Sequence, residues 1–211
     1  MDRYQKIQYY TSVTLKILIG ALVLISAVRQ DIFLVFTSLI ALFLTLTPLI
    51  VTRNFKIKLP IEVDFTLTII LYLCYALGEY SNFYVRFWWW DLFLHVGNSI
   101  VLGMVGFILA YALLITSKIT AKPFLISFFS LSFAVFIGVI WEIFEFGMDY
   151  FFGFTMQKSG LIDTMTDLMM NLGGAGIVSL LGFFYIRNPK RGIFDKVVKK
   201  FVKKKDYEEA N

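Results

Sequence analysis

Residues 123–152 read PFLISFFSLSFAVFIGVIWEIFEFGMDYFF, and they decide what kind of protein this is. From Pro123 to Trp141 no ionisable side chain occurs. About 20 helical residues cross a hydrocarbon layer of roughly 30 Å, and lipid offers the backbone no hydrogen-bond partners, so such a run has to be a helix. Pro123 stands at its start, where a missing N–H costs little. Glu142, Glu145 and Asp149 then interrupt the far end of the run. A charge near the bilayer centre costs about 2.5 to 3.5 kcal/mol even on lenient insertion scales, so carboxylates placed there require compensation.

Five further runs of this kind flank it, at about 9–28, 32–52, 61–79, 89–115 and 164–186. The chain of 211 residues is 58% hydrophobic and only 17% charged, which excludes a soluble domain of this length. The expectation is an all-α, polytopic membrane protein: a six-helix bundle over residues 1–187 with a basic tail over 188–211. The first run has no short apolar core ending at a small-residue cleavage site, so it reads as a retained span. Arg29, Gln30 and Asp31 leave room only for a tight hairpin between the first two helices. Cys74 is the single cysteine, which excludes an intrachain disulfide. In the tail, Ile193, Phe194, Val197, Val198, Phe201 and Val202 alternate at helical spacing with lysines, a pattern that fits either a helix on an anionic lipid surface or a solvated topology signal.

Lys and Arg are distributed unequally between the two ends of the spans. One side carries Arg3, Lys6, Arg53, Lys56, Lys58, Lys118, Lys122 and the basic residues from Arg187 to Lys205; the other carries Arg29, Arg86 and Lys158. The positive-inside rule then places both termini in the cytoplasm of a cell (inner or plasma) membrane. The net charge of +5 reports this topology and not a nucleic-acid partner, for no base-reading motif is present. Lys16, inside the first span, is expected to snorkel to its nearer end, and Glu62 and Asp64 read as interfacial.

With that orientation the remaining ionisable residues gather on the outer side. Asp91, His95 and Asn98 lie on the fourth helix, Glu142, Glu145 and Asp149 on the fifth, and Asp163, Asp167 and Asn171 on the sixth. At about 100° per residue each triplet falls within an arc of roughly 60° to 80°, so each helix presents one polar stripe. Three stripes at one depth are expected to face one another. Arg86 and His95 are too few cations for Glu79, Asp91, Glu142, Glu145, Asp149, Asp163 and Asp167, so either some carboxyls are protonated or a metal ion supplies the charge. Capping explains Asp91 and Asp163 equally well, since both begin helices. Asn98 and Asn171 read as supporting hydrogen-bonding residues. Gly173, Gly174, Ala175 and Gly176 give a smooth face for close helix approach, and Trp88, Trp89, Trp90, Tyr150, Phe151 and Phe152 read as an interfacial aromatic belt.

Asp91-x3-His95, Glu142-x2-Glu145, Asp163-Thr164-x2-Asp167 and Asn171-x2-Gly174-Ala175 together resemble the pattern of the YjdF-like bacterial and archaeal inner-membrane proteins. More distantly they resemble the VanZ-like family linked with glycopeptide resistance. The resemblance covers roughly Trp88 to Gly182 and implies a six-helix membrane protein with these polar positions as its functional set. It supplies no reaction.

The residues themselves point to a metal-dependent membrane enzyme acting on a lipid or lipid-linked substrate of the cell envelope. His95, Glu142, Glu145, Asp163 and Asp167 are the candidate metal ligands, for zinc, manganese or magnesium, and Glu142, Glu145 and Asp167 the candidate catalytic groups. Asp91, Asn98, Asp149, Asn171, Glu79 and Arg86 are expected to support them. Two competing expectations use the same residues: a proton- or cation-coupled transporter, and a non-catalytic membrane protein that binds lipid or protein and whose polar cluster only holds helices together.

Overall fold

The computed structural model describes residues 1–55, 60–116 and 122–187. Lys56, Lys58, Lys118 and the basic tail over 188–211 lie outside the described residues. Helix α1 (Arg3–Val28) opens on a capping box, in which Asp2 accepts from Gln5 N at 2.8 Å and Gln5 Oε1 accepts from Asp2 N at 3.1 Å. Gln30, with φ 57°, turns the chain, and Asp31 caps α2 (Ile32–Phe55) by accepting from Leu34 N at 3.0 Å. This is the tight hairpin expected from three connecting residues.

Helix α3 (Ile61–Tyr80) starts after Pro60, and its last eight residues, Leu73–Tyr80, are wound as a π-helix. The wider winding ends where Ser81 N donates to Ala76 O, five residues back, at 3.2 Å. Asn82, at φ 58°, then turns the chain into the short α4 (Phe83–Arg86). Three long helices follow: α5 (Trp90–Thr116), α6 (Pro123–Phe152) and α7 (Leu161–Arg187). Gly153, at φ 68°, ends α6. Six helices are long and apolar enough to cross a membrane, and no strand occurs among the described residues. The expected all-α class and six spans are observed.

The chain divides into two compact units, Met1–Leu94 and His95 onward, with the division falling inside α5. In the first unit α1, α2 and α3 all pack on one another. Ile19, Ala41 and Tyr75 form the core, and Tyr75 Oη donates to Leu34 O at 3.2 Å. One feature differs from the sequence reading. Lys16 and Asp64 are partners, a pairing not expected from either residue: Lys16 Nζ reaches Asp64 Oδ1 at 2.5 Å, between α1 and α3. The fully buried Ser12 donates to the second oxygen of Asp64 and lies 3.1 Å from Thr68 Oγ1. Each charge is thus compensated inside the helix pair, which is less costly than exposing either to hydrocarbon.

In the second unit α6 and α7 form the most extensively packed pair. Their buried positions recur every three or four residues: Ser130, Ala134, Gly138, Glu142 and Glu145 on α6, and Asp167, Asn171, Gly174, Val178 and Gly182 on α7. Such a stripe is what a helix buries against neighbours. Helix α5 joins them where Ser130 Oγ donates to Gly103 O at 2.7 Å. Phe107, Ala110, Tyr111, Ile126, Val178 and Tyr185, drawn from all three helices, make the apolar core of this unit.

Replacing Lys16 by Met is expected to leave Asp64 uncompensated and to cost about 2 kcal/mol, the lower end for such pairs because both groups keep some exposure. Thermal unfolding in detergent measures this. The Lys16→Met/Asp64→Leu double variant should recover most of the loss, and a double variant as damaged as the single one would show that the two charges are not coupled.

Candidate functional site

The site is built at the end of the second unit that carries the α6–α7 loop. Helix α5 contributes His95, α6 contributes Glu142 and Glu145, and α7 contributes Asp167 and Asn171. All five are buried, with exposures of 7% for His95, 3% for Glu142, 9% for Glu145, 1% for Asp167 and 4% for Asn171. The imidazole lies between two carboxylates: Nδ1 is 3.9 Å from Glu142 Oε1, and Nε2 is 3.7 Å from Asp167 Oδ2. These separations exceed a direct N–H···O hydrogen bond. They match the roughly 3 to 4 Å between two ligand atoms that share an ion at about 2.0 to 2.2 Å from each.

Small residues make this convergence possible. A Cβ on Gly174 would stand 2.6 Å from the backbone oxygen of Val96 and would also strike Ser99 Oγ, so α7 approaches α5 closely one turn below His95. A Cβ on Gly138 would stand 2.6 Å from Asn171 Nδ2, so one turn below Glu142 the glycine leaves room for that amide between α6 and α7. Ser99 keeps its hydroxyl inside its own helix by donating to Val96 O at 2.9 Å. Without these contacts the three polar stripes would face one another at a greater distance.

The other acidic residues are placed differently. Asp149 accepts from Met156 N at 2.7 Å and Gln157 N at 2.8 Å, one on each oxygen, and so ties down the α6–α7 loop. Asp163, in the first turn of α7, accepts from Lys158 N at 3.2 Å, and Gln157 Nε2 donates to Thr164 Oγ1 at 2.6 Å. Both aspartates fix the loop that holds the ends of α6 and α7. Asp91 stands in the first turn of α5, one turn before His95 and on the same helical face. Asn98 is half-buried on α5. Glu79 lies in the π-wound end of α3, and Arg86 is exposed at the end of α4; both belong to the first unit. Sequence reasoning missed Gly138 and Ser99. The one available signal was position, since Gly138 lies four residues before Glu142 and Ser99 four after His95.

Residues 11–188 match the family described as "Predicted membrane protein (DUF2238)". The chain belongs to this family. The match runs from α1 to the end of α7, and the YjdF-like resemblance is consistent with it. A protein of Thermotoga maritima described as "Uncharacterized protein" is 29% identical over 119 residues, which is 56% of this chain and 59% of that one. The chain therefore spans less than two thirds of the length of that relative. No solved structure matches the chain.

The glycine contacts give a paired test of the geometry. Gly174→Ala should force α5 and α7 apart and cost about 1 to 3 kcal/mol, as overpacking does. Gly173→Ala, where nothing lies within 4 Å of the added carbon, should be neutral or slightly stabilising through helix propensity. Thermal unfolding of the two variants side by side would refute this packing if they behaved alike.

Proposed function

We propose that this protein is a multi-pass protein of the cell membrane, with both termini cytoplasmic, whose buried site faces outward and binds a divalent cation to act on a lipid or lipid-linked envelope substrate. The observation that carries the reading is the position of His95 between Asp167 and Glu142. An imidazole coordinates a metal through one nitrogen, and metal-bound histidines commonly direct the other to a carboxylate that fixes the ring. The Nε2 side supports the ion: His95 and Asp167 can each offer one atom to it. Glu142, on the Nδ1 side, then orients the ring. Glu145, buried nearly one turn toward the loop, is the group available to move protons.

One imidazole with carboxylates suits zinc or manganese, and magnesium would rely on the carboxylates and water. The ion would polarise a phosphoryl or acyl group or lower the pKa of a bound water. The outward orientation rests on the lysine and arginine distribution. The distant resemblance to the VanZ-like pattern favours an envelope substrate. Ion-coupled transport has less support, because a path through the second unit would have to pass the apolar cluster of Phe107, Tyr111, Ile126, Val178 and Tyr185 on the same three helices.

Elemental analysis of the purified chain is expected to find one divalent ion per protein. His95→Ala and Asp167→Asn should abolish binding, while Glu142→Gln should keep the ion at an affinity lowered about 10 to 100-fold, as loss of an orienting carboxylate does. Wild-type protein that takes up no stoichiometric metal on titration with zinc, manganese and magnesium would end this reading.

A further inference from the structure

Asn171 is buried to 4% exposure, and its Nδ2 makes no hydrogen bond among the described residues. It lies one turn inward of Asp167 on α7, about 6 Å along the axis. Its amide rests against Gly138, one turn inward of Glu142 on α6. A Cβ at position 138 would come 2.6 Å from Nδ2 and 3.0 Å from Cγ, so the glycine keeps the amide in place where a side chain would displace it. A sealed donor with no acceptor is unfavourable by about tenfold or more in an equilibrium constant, and nothing in the packing requires one here. An apolar residue of similar size would fill the space without that cost.

A donor at this depth has a use if the ligand brings an acceptor. A bare cation cannot relieve an N–H group, because it has no lone pair to offer. The carboxylates above it would repel an anion that came alone. An anion that arrives with a divalent cation meets neither obstacle, for the cation offsets the carboxylates and an anionic oxygen can accept from Nδ2.

We propose that Asn171 is the oxygen-binding donor of this site, and that the ligand is an oxyanion of the phosphoryl class taken up together with the divalent cation. The inference rests on the metal reading above and adds to it the class of group that the cation presents. The phosphoryl group can belong to a lipid headgroup or to free phosphate, since both offer the same oxygens. Gly138 is a positioning residue, acting through the amide that it leaves room for.

Manganese binding to the purified full chain in phosphate-free detergent, followed by the loss of the free-ion electron paramagnetic resonance signal, tests this. Titrations are run with the metal alone, with inorganic phosphate, and with dihexanoyl phosphatidic acid, and His95→Ala serves as the blank for metal complexed in solution. Either phosphate or the phosphatidate is expected to tighten manganese binding to wild-type protein about tenfold. Asn171→Ala, Asn171→Leu and Gly138→Ala should lose that tightening while their affinity for manganese alone stays within about twofold of wild type. A response to the phosphatidate alone identifies a lipid phosphate as the source, and a response to both supports the phosphoryl group as such. Tightening that survives in Asn171→Ala and Asn171→Leu, or a wild-type affinity indifferent to both additives, overturns the proposal. Failure of wild-type protein to bind manganese, or zinc or magnesium in its place, is a different result: it removes the metal reading and this inference with it.

Discussion

The structure of the second unit depends on placing carboxylates inside an apolar three-helix seam. Glu142, Glu145 and Asp167 are each at least nine-tenths buried, and His95 is the single imidazole among them. Carboxylates on a lipid-facing surface would be costly enough to oppose insertion of the helix. Their placement therefore dictates the packing, because the three helices have to turn these faces inward and approach until the groups can compensate one another. Gly174 meets that requirement directly, since a Cβ there would strike the Val96 backbone, and Gly138 leaves room for the Asn171 amide between α6 and α7.

The first unit resolves the same physical difficulty in another way. Lys16 and Asp64 form one ion pair, with Ser12 satisfying the second oxygen of the carboxylate. Positive and negative charges balance there, and the result is a pin between α1 and α3. In the second unit two carboxylates flank one imidazole, so when both are ionised even a protonated ring leaves negative charge in excess. A balanced pair stabilises a helix contact, whereas an excess of one sign creates affinity for a ligand of the other sign. This difference in balance, more than burial, separates the structural cluster from the candidate functional one.

Much of this was legible in the sequence because it depends on period and composition. Spans expected at 61–79 and 123–148 are observed as Ile61–Tyr80 and Pro123–Phe152, since lipid permits only helices and apolar length sets where they end. The polar stripes of α5, α6 and α7 were legible because helical angle is fixed at about 100° per residue. Rotation, however, says nothing about which chain a side chain will meet. Asp149 shares a stripe with Glu142 and Glu145, yet it turns to the backbone of Met156 and Gln157, a partner set by loop conformation. Lys16 and Asp64 are 48 residues apart, so no local pattern announced their pairing. The π-winding of Leu73–Tyr80 was equally hidden, because it shifts hydrogen-bond register without altering the hydropathy that marks a span. Trp90 reads as part of an interfacial belt with Trp88 and Trp89, but it is buried against Phe83 and Phe93, whereas Trp88 and Trp89 are exposed.

Polarity along the α5–α6–α7 seam also changes in one direction. At the loop end stand His95, Glu142, Glu145 and Asp167; next come Ser99, Gly138, Asn171 and Gly174; beyond them lie Phe107, Tyr111, Ile126, Val178 and Tyr185. Ser127, Ser130 and Ser179 keep some hydroxyls at the deeper levels, but among the described residues of the seam no carboxylate lies there to hold an ion that goes further. Transport requires a second state in which the deep end becomes hospitable, and packed aromatic side chains such as Phe107 and Tyr111, stacked with ring centroids 5.7 Å apart, oppose it. The chemistry proposed above would require no such state, only a ligand held at the level of Asn171.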